Sequence, residues 1–237
     1  MTRVGIIETG HPPDEVMQKF GGFPRMFMDL FSSQPDLEFA IYNVENELPF
    51  VTDRESWIIT GSPAGVYEKL PWIEPVMDFI KEAGKKSIPV LGICFGHQLM
   101  AQAYGGVVKK TNNRGIGVHN YTFTEQGQKV FAGMPAAKLN AVHQDQIVEP
   151  PADAALLAAS EFCPYAALSY GKHGLSMQGH PEFPNDIAKA IVASWQKQDP
   201  APDSVYDKAM ETLGKVDTDS DKLVTALSHF LAGRPAG

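Results

Sequence analysis

The sequence predicts an α/β fold with a mixed sheet, on three observations. Short β-rich runs recur, with spacers between them long enough for a helix or a crossover. One run, Ile88–Ile93, is apolar without alternation, as a central parallel strand buried on both faces requires. After Gly105 and Gly106 the runs alternate with polar residues, like strands with one wet face. The 237 residues, 43% of them apolar, suffice for one sizeable core. A net charge of −8 excludes a strongly basic nucleic-acid binder. No run approaches the roughly 18 apolar residues of a membrane helix, and the start MTRVGIIETG has no secretory hydrophobic region. Two cysteines cannot build a disulfide framework, so the cytoplasm is the expected location.

In chain order, strands are expected at Arg3–Glu8, Phe39–Val44, Trp57–Thr60 and Ile88–Ile93. The last runs through Cys94 into a helix-like HQLMAQAYGG. Half-wet strands follow at Ile116–Phe123, Leu139–Val142 and Ser176–Gln178. Helical spacing of Ile187, Ala190, Ile191, Ser194 and Trp195, with Pro184 and Asn185 placed to start it, predicts a closing helix over Asn185–Trp195. A Pro-rich break, QDPAPDS, separates it from helical patterns at Val205–Leu213, ended by Gly214, and at Leu223–Leu231. The chain therefore divides into a main domain over 1–196 and a C-terminal helical extension over 197–237.

The sharpest local signal is Gly92-Ile93-Cys94-Phe95-Gly96, a strand, a tight turn and a helix start. Glycines two residues either side of a nucleophile allow a sharp elbow, because side chains there would strike neighbouring backbone. A thiol at a helix N-terminus meets the positive end of the dipole, which favours the thiolate. Taken alone, Cys94 reads equally as a small buried hydrophobe. Cys163 has neither elbow nor following helix and reads as structural.

A nucleophilic thiol needs a proton shuttle, and the shuttle needs an orienting group. His180-Pro181-Glu182 supplies both: Pro181 biases His180 toward extended backbone, and extended residues at i and i+2 point the same way. A lone His-Pro-Glu would read as a strand end with a solvated His; its pairing with a Cys elbow changes that. His11, His119, His173 and His229 lack a carboxylate so arranged and read as surface or structural. For an oxyanion, Phe95 offers one backbone N–H and Gly61, in the loop after Ile59-Thr60, offers the second. No His/Cys cluster has metal-ligand spacing, so neither metal nor cofactor is expected.

Together, ITGSP, LGICFGHQ and QGHPEF resemble the class I glutamine amidotransferase family over about residues 1 to 195. The resemblance implies a flavodoxin-like three-layer sandwich with a mixed, largely parallel central sheet, followed here by the helical extension. It also implies a triad in which Cys94 attacks a γ-glutamyl amide, His180 moves the proton and Glu182 orients His180. Gly61 and Phe95 would hold the oxyanion, and Gln98 would contact the glutamyl moiety. FGGFPRMFMDLF, VHQDQIVEPP and LSHFLAG are similar to stand-alone members, the plant γ-glutamyl peptidases and the GMP-synthase-like amidotransferases. His143 and Asp145 are placed on the rim of the site by that likeness, with loop-turn chemistry as the plain alternative.

No G-x-x-x-x-G-K-S/T loop is present, so a complete GMP synthase is not expected. The first expectation is a stand-alone hydrolase of a small γ-glutamyl substrate, with FGGFPRMF and the C-terminal helices walling the pocket or covering a synthetase-docking face. A glutaminase subunit serving a synthetase partner is the second. A redox sensor or chaperone similar to DJ-1 is the third, although such a protein needs neither Gln98 nor a His-Pro-Glu. No nucleic-acid or membrane partner is expected.

Overall fold

The computed structural model describes residues 1–46, 48–197 and 202–234, apart from the side chain of Asn113. The first part of the Pro-rich break, 198–201, lies outside the described residues. A nine-stranded sheet runs in the order β2-β1-β3-β4-β9-β8-β7-β5-β6. Its parallel half comprises β1 (Thr2–Glu8), β2 (Leu37–Asn43), β3 (Ser56–Ile59), β4 (Val90–Ile93) and β9 (Gly174–Met177). The other strands, β5 (Val107–Phe123), β6 (Ala136–Glu149), β7 (Ala155–Ala159) and β8 (Ala167–Tyr170), join by antiparallel pairing. This is the expected mixed α/β sheet with a parallel centre.

Alternation along the parallel strands sorts side chains to two faces. Val4, Ile6, Ile58 and Leu91 pack with Phe27, Phe31, Leu223 and Leu227. These last four come from α2 (Phe23–Leu30), the turn after it and α8 (Ser220–Leu231). On the opposite face Ile7, Trp57, Ile59 and Val90 meet α3 (Ile73–Lys85) and α4 (Phe95–Ala103), through Val76, Phe79, Ile80 and Leu99. A third cluster joins β5 and β6 to α1 (Asp14–Phe20), α6 (Asn185–Gln196) and α7 (Asp203–Lys215), with Tyr206 and Leu213 at most 1% exposed. A short α5 (Glu125–Val130), capped by Thr124 accepting from the Gly127 N–H, completes the α-helices among the described residues. Both helices of the tail thus bury their apolar stripes in clusters shared with residues before 197.

Several elements differ from the sequence expectation: β6 spans Ala136–Glu149 rather than Leu139–Val142, and β7 and β8 lie where no strand is expected. β5 starts at Val107 rather than near Ile116, and its extra length, including Lys109–Arg114, lacks apolar alternation. That stretch borders a polar cleft rather than the core, and the pairing with β6 is irregular between Lys110 and Gly115. Gly214 does not end α7, which continues to Lys215. Nothing lies within 4 Å of a Cβ built there, so this glycine sits on an open helix face at a cost of about 1 kcal/mol relative to Ala.

Candidate active site

Parallel strands end at one edge of a sheet, and ligands of open α/β folds bind there. Four segments collect at that edge: Thr9 after β1, Thr60 and Gly61 after β3, Cys94 after β4, and Gln178–Glu182 after β9. Cys94 is 7% exposed and holds φ 53°, a left-handed conformation rare for a residue with a side chain. The elbow depends on its glycines. A Cβ on Gly92 would stand 2.6 Å from the Gly96 carbonyl oxygen, and one on Gly96 would stand 2.4 Å from the Ile59 oxygen. Either contact would force the turn apart.

His180 is tied to β6 by an antiparallel bridge, its N–H donating to the Asn140 carbonyl at 2.8 Å. Its Nδ1–H donates to Glu182 Oε1 at 2.7 Å, with both side chains at most 4% exposed. The Phe183 ring lies parallel to the imidazole at 4.0 Å between centroids, and Phe23 stacks on Phe183 at 5.9 Å. Burial lowers the pKa of His180, but the charges of Glu182 and then Cys94 outweigh it and hold the imidazole above the usual histidine range. Nε2 is buried without a hydrogen-bond partner.

Gly61 lies against both groups: a Cβ there would be 3.4 Å from His180 Cε1 and 3.9 Å from Cys94 Cβ. Neither the Gly61 N–H nor the Phe95 N–H donates a hydrogen bond among the described residues. Cys94, His180, Glu182, Gly61 and Phe95, far apart in sequence, therefore meet at one edge.

A cleft of about 480 Å³ opens over Cys94, lined by Ser62–Gly65, Tyr67, Glu68, Gln98, Lys110, Arg114, Val142–Asp145 and Trp195. That volume lies within the range of about 300–1,000 Å³ common for small-molecule sites. Gln98 lines it, with Nε2 donating to the Asp145 carbonyl at 2.8 Å and to Gln178 Oε1 at 3.0 Å. His143 and Asp145 line it too, from strand β6 rather than from a loop. The His143 Nδ1–H donates to the Asp145 carbonyl at 3.1 Å, and burial pushes its pKa down to about 3, so the ring is neutral. Burial raises the Asp145 carboxyl, against the opposing pull of Tyr67 and Lys110.

Sequence reasoning did not single out Thr9, Tyr67, Glu68, Lys110, Arg114, Gln178 or Trp195. The position of Thr9 at the carboxyl end of the first strand was the one usable signal. Lys110 reaches the cleft through the β5–β6 register, opposite Asp145, and Arg114 from the irregular stretch before Gly115. The FGGFPRMF segment does not wall the cleft: its aromatic residues are drawn into the core, where Phe23 supports Phe183 behind His180. His11 does have a carboxylate beside it, with Nδ1 3.1 Å from Glu8 Oε1, because the chain turns directly after β1. His97, within the elbow motif, is buried; its Nε2–H donates to the Tyr165 carbonyl at 2.9 Å while Nδ1 meets the Ser176 hydroxyl at 2.7 Å. Cys163 is buried in the first apolar cluster. Among the described residues no group of three or more His, Cys, Asp or Glu could hold a metal ion, and no helix is long and apolar enough to cross a membrane.

A strand-to-helix elbow that presents a positive-φ residue at the carboxyl edge of a parallel sheet has the geometry of the α/β-hydrolase nucleophile elbow, here with cysteine in place of serine. The model of the class-I glutamine amidotransferases matches residues 34–192, and the chain belongs to that family. Gamma-glutamyl peptidase 2 of Arabidopsis thaliana is 26% identical over 98% of this chain and 96% of its own length. The glutamine-hydrolysing GMP synthase of Finegoldia magna is 35% identical over 58% of this chain but only 26% of its own length. Among solved structures, a glutamine amidotransferase from Methylobacillus flagellatus covers 100% of this chain and 97% of its own, with a TM-score of 0.74 at 20% identity, a likeness of fold. The chain is an enzyme of this family.

Proposed function

We propose that the protein hydrolyses a γ-glutamyl amide, glutamine or a γ-glutamyl peptide, through a thioester on Cys94, as a self-sufficient enzyme. The observation that carries this reading is the meeting of the Cys94 elbow, the His180–Glu182 pair and two unused N–H groups at one sheet edge, where Cys94 opens onto the cleft. His180 Nε2 takes the Cys94 thiol proton as the sulfur attacks the γ-carbonyl carbon, and the C–S bond forms as the carbonyl becomes an oxyanion held by the Gly61 and Phe95 N–H groups. Collapse breaks the C–N bond, and protonated His180 gives its Nε2 proton to the leaving amine. Neutral His180 then takes a proton from water, which attacks the thioester. Glutamate leaves, and the thiol is restored. Glu182 keeps the imidazole in the tautomer that presents Nε2.

Full-length similarity to a γ-glutamyl peptidase favours the self-sufficient reading. Similarity to a GMP synthase favours a second one, in which ammonia passes to a synthetase partner. A free thiol nucleophile favours a reducing compartment such as the cytoplasm for the reaction. The test is glutamate release from L-glutamine, glutathione and other γ-glutamyl amides, with Cys94→Ala as blank. Fast turnover of one peptide supports the first reading. Slow glutamine hydrolysis alone turns the assignment to the second, and no release from any amide refutes both.

A further inference from the structure

Gly61 is free to flip its peptide groups, since it has no side chain to restrain them. The reading above needs its N–H aimed at the cleft. Both peptide groups that flank Gly61 are tied down by two buried hydroxyls. Thr9 is 2% exposed and Thr60 is 0% exposed. The Thr9 N–H donates to Thr60 Oγ1 at 3.1 Å, which leaves the Thr60 hydroxyl proton for the Gly61 carbonyl at 3.0 Å. Thr9 Oγ1 stands 3.1 Å from both the Thr60 carbonyl and the Gly61 carbonyl, within donating reach of either. The Thr60 carbonyl also accepts from the Gly96 N–H of the elbow, at 3.2 Å. In a trans peptide the carbonyl and the following N–H point to opposite sides. Holding the Thr60 carbonyl toward Thr9 and Gly96 therefore fixes where the Gly61 N–H points.

Valine has the branched shape of threonine without its hydroxyl, so shape alone does not call for hydroxyls there. We propose that Thr9 and Thr60 are positioning residues, a hydroxyl pair that locks the Gly61 peptide so that its N–H meets the developing oxyanion. The proposal rests on the hydrolase reading. It also couples the oxyanion loop to the cysteine elbow, because one carbonyl, that of Thr60, ties Thr9 to Gly96.

The test compares wild type, Thr9→Val and Thr9→Ser, with γ-glutamyl-p-nitroanilide and L-glutamine as substrates and iodoacetamide as a probe of Cys94. Alkylation by iodoacetamide is a displacement at carbon that forms no oxyanion, so it reports the thiol and His180 alone. Loss of one oxyanion donor costs about 10²–10³ in kcat. Thr9→Val is expected to lower kcat by about tenfold to a hundredfold, with KM and the alkylation rate unchanged, and Thr9→Ser to restore kcat. Equal activity in Thr9→Val, or equal loss in Thr9→Val and Thr9→Ser, overturns the proposal. A Thr9→Val protein that unfolds, or whose alkylation slows in step with hydrolysis, assigns Thr9 a merely structural role and overturns it too. Absence of hydrolysis in wild type strikes the hydrolase reading instead.

Discussion

Replacing Glu182 with glutamine keeps the side chain's shape and removes its charge. His180 Nδ1 and Glu182 Oε1 are 2.7 Å apart and almost wholly buried, so little solvent screens them. With charge centres about 4 Å apart and an effective dielectric of about 20, the attraction is worth about 4 kcal/mol. At about 1.36 kcal/mol per factor of ten, that is about a thousandfold. Burial, which lowers the imidazole pKa, then acts with less opposition, and the amide can hold the wrong tautomer. Glu182→Gln is expected to lower kcat/KM for a γ-glutamyl amide by about 10³ and to move its pH profile. Stability should follow the same linkage. A raised folded pKa contributes stabilisation that is complete below the unfolded value of about 6.5 and is lost as pH rises through the raised folded value. The stability gap between wild type and variant should therefore be widest at or below about pH 6 and shrink as pH rises. Glutamate-release kinetics across pH, with urea midpoints at the same values, make the measurement. A variant within threefold of wild type, with an unmoved profile, would refute the reasoning.

Cys94→Ala should abolish hydrolysis while leaving the fold intact by circular dichroism, and retained turnover would end the thioester mechanism. Gly96→Ala brings a Cβ to 2.4 Å from the Ile59 carbonyl oxygen, and urea denaturation should show a loss of about 1–3 kcal/mol; an unshifted midpoint would mean the elbow gives way freely. Burial pushes His97 down to about 3, so its contribution is present above the unfolded value of about 6.5 and is lost as pH falls toward 3. At pH 5 this amounts to about 2 kcal/mol, and His97→Gln should flatten the acid limb of the stability curve by that much. Truncation at Lys197 removes Tyr206, Leu213, Leu223 and Leu227, each at most 1% exposed. At about 2 kcal/mol apiece the loss rivals the stability of a whole domain, so dye binding should rise and soluble yield fall; unchanged solubility and activity would count against it.

The α/β class was legible because Ile88–Ile93 is apolar on both faces, and only a sheet covered on both sides makes such a strand stable. The elbow was legible because Gly92 answers to a local backbone contact, the Gly96 carbonyl four residues on, whereas the contact of Gly96 with Ile59 of β3 is tertiary. The sequence by itself thus determined the chemistry-bearing residue types and the turn that presents Cys94. It did not determine the length of β5, since Lys109–Arg114 has no apolar alternation and is held in the sheet by pairing with β6. Nor did it place Phe23 behind His180 or assign the tail helices to the core, because an apolar stripe says that a face is covered and not by what. The walls of the cleft, Lys110 and Arg114 from β5 and Trp195 from α6, and the clasp of Thr9 on Gly61, were decided only by the tertiary structure. These are contacts between segments distant in the chain, 35 residues for Lys110 and Asp145 and 52 for Thr9 and Gly61, whose geometry depends on strand order and register rather than on neighbouring residues.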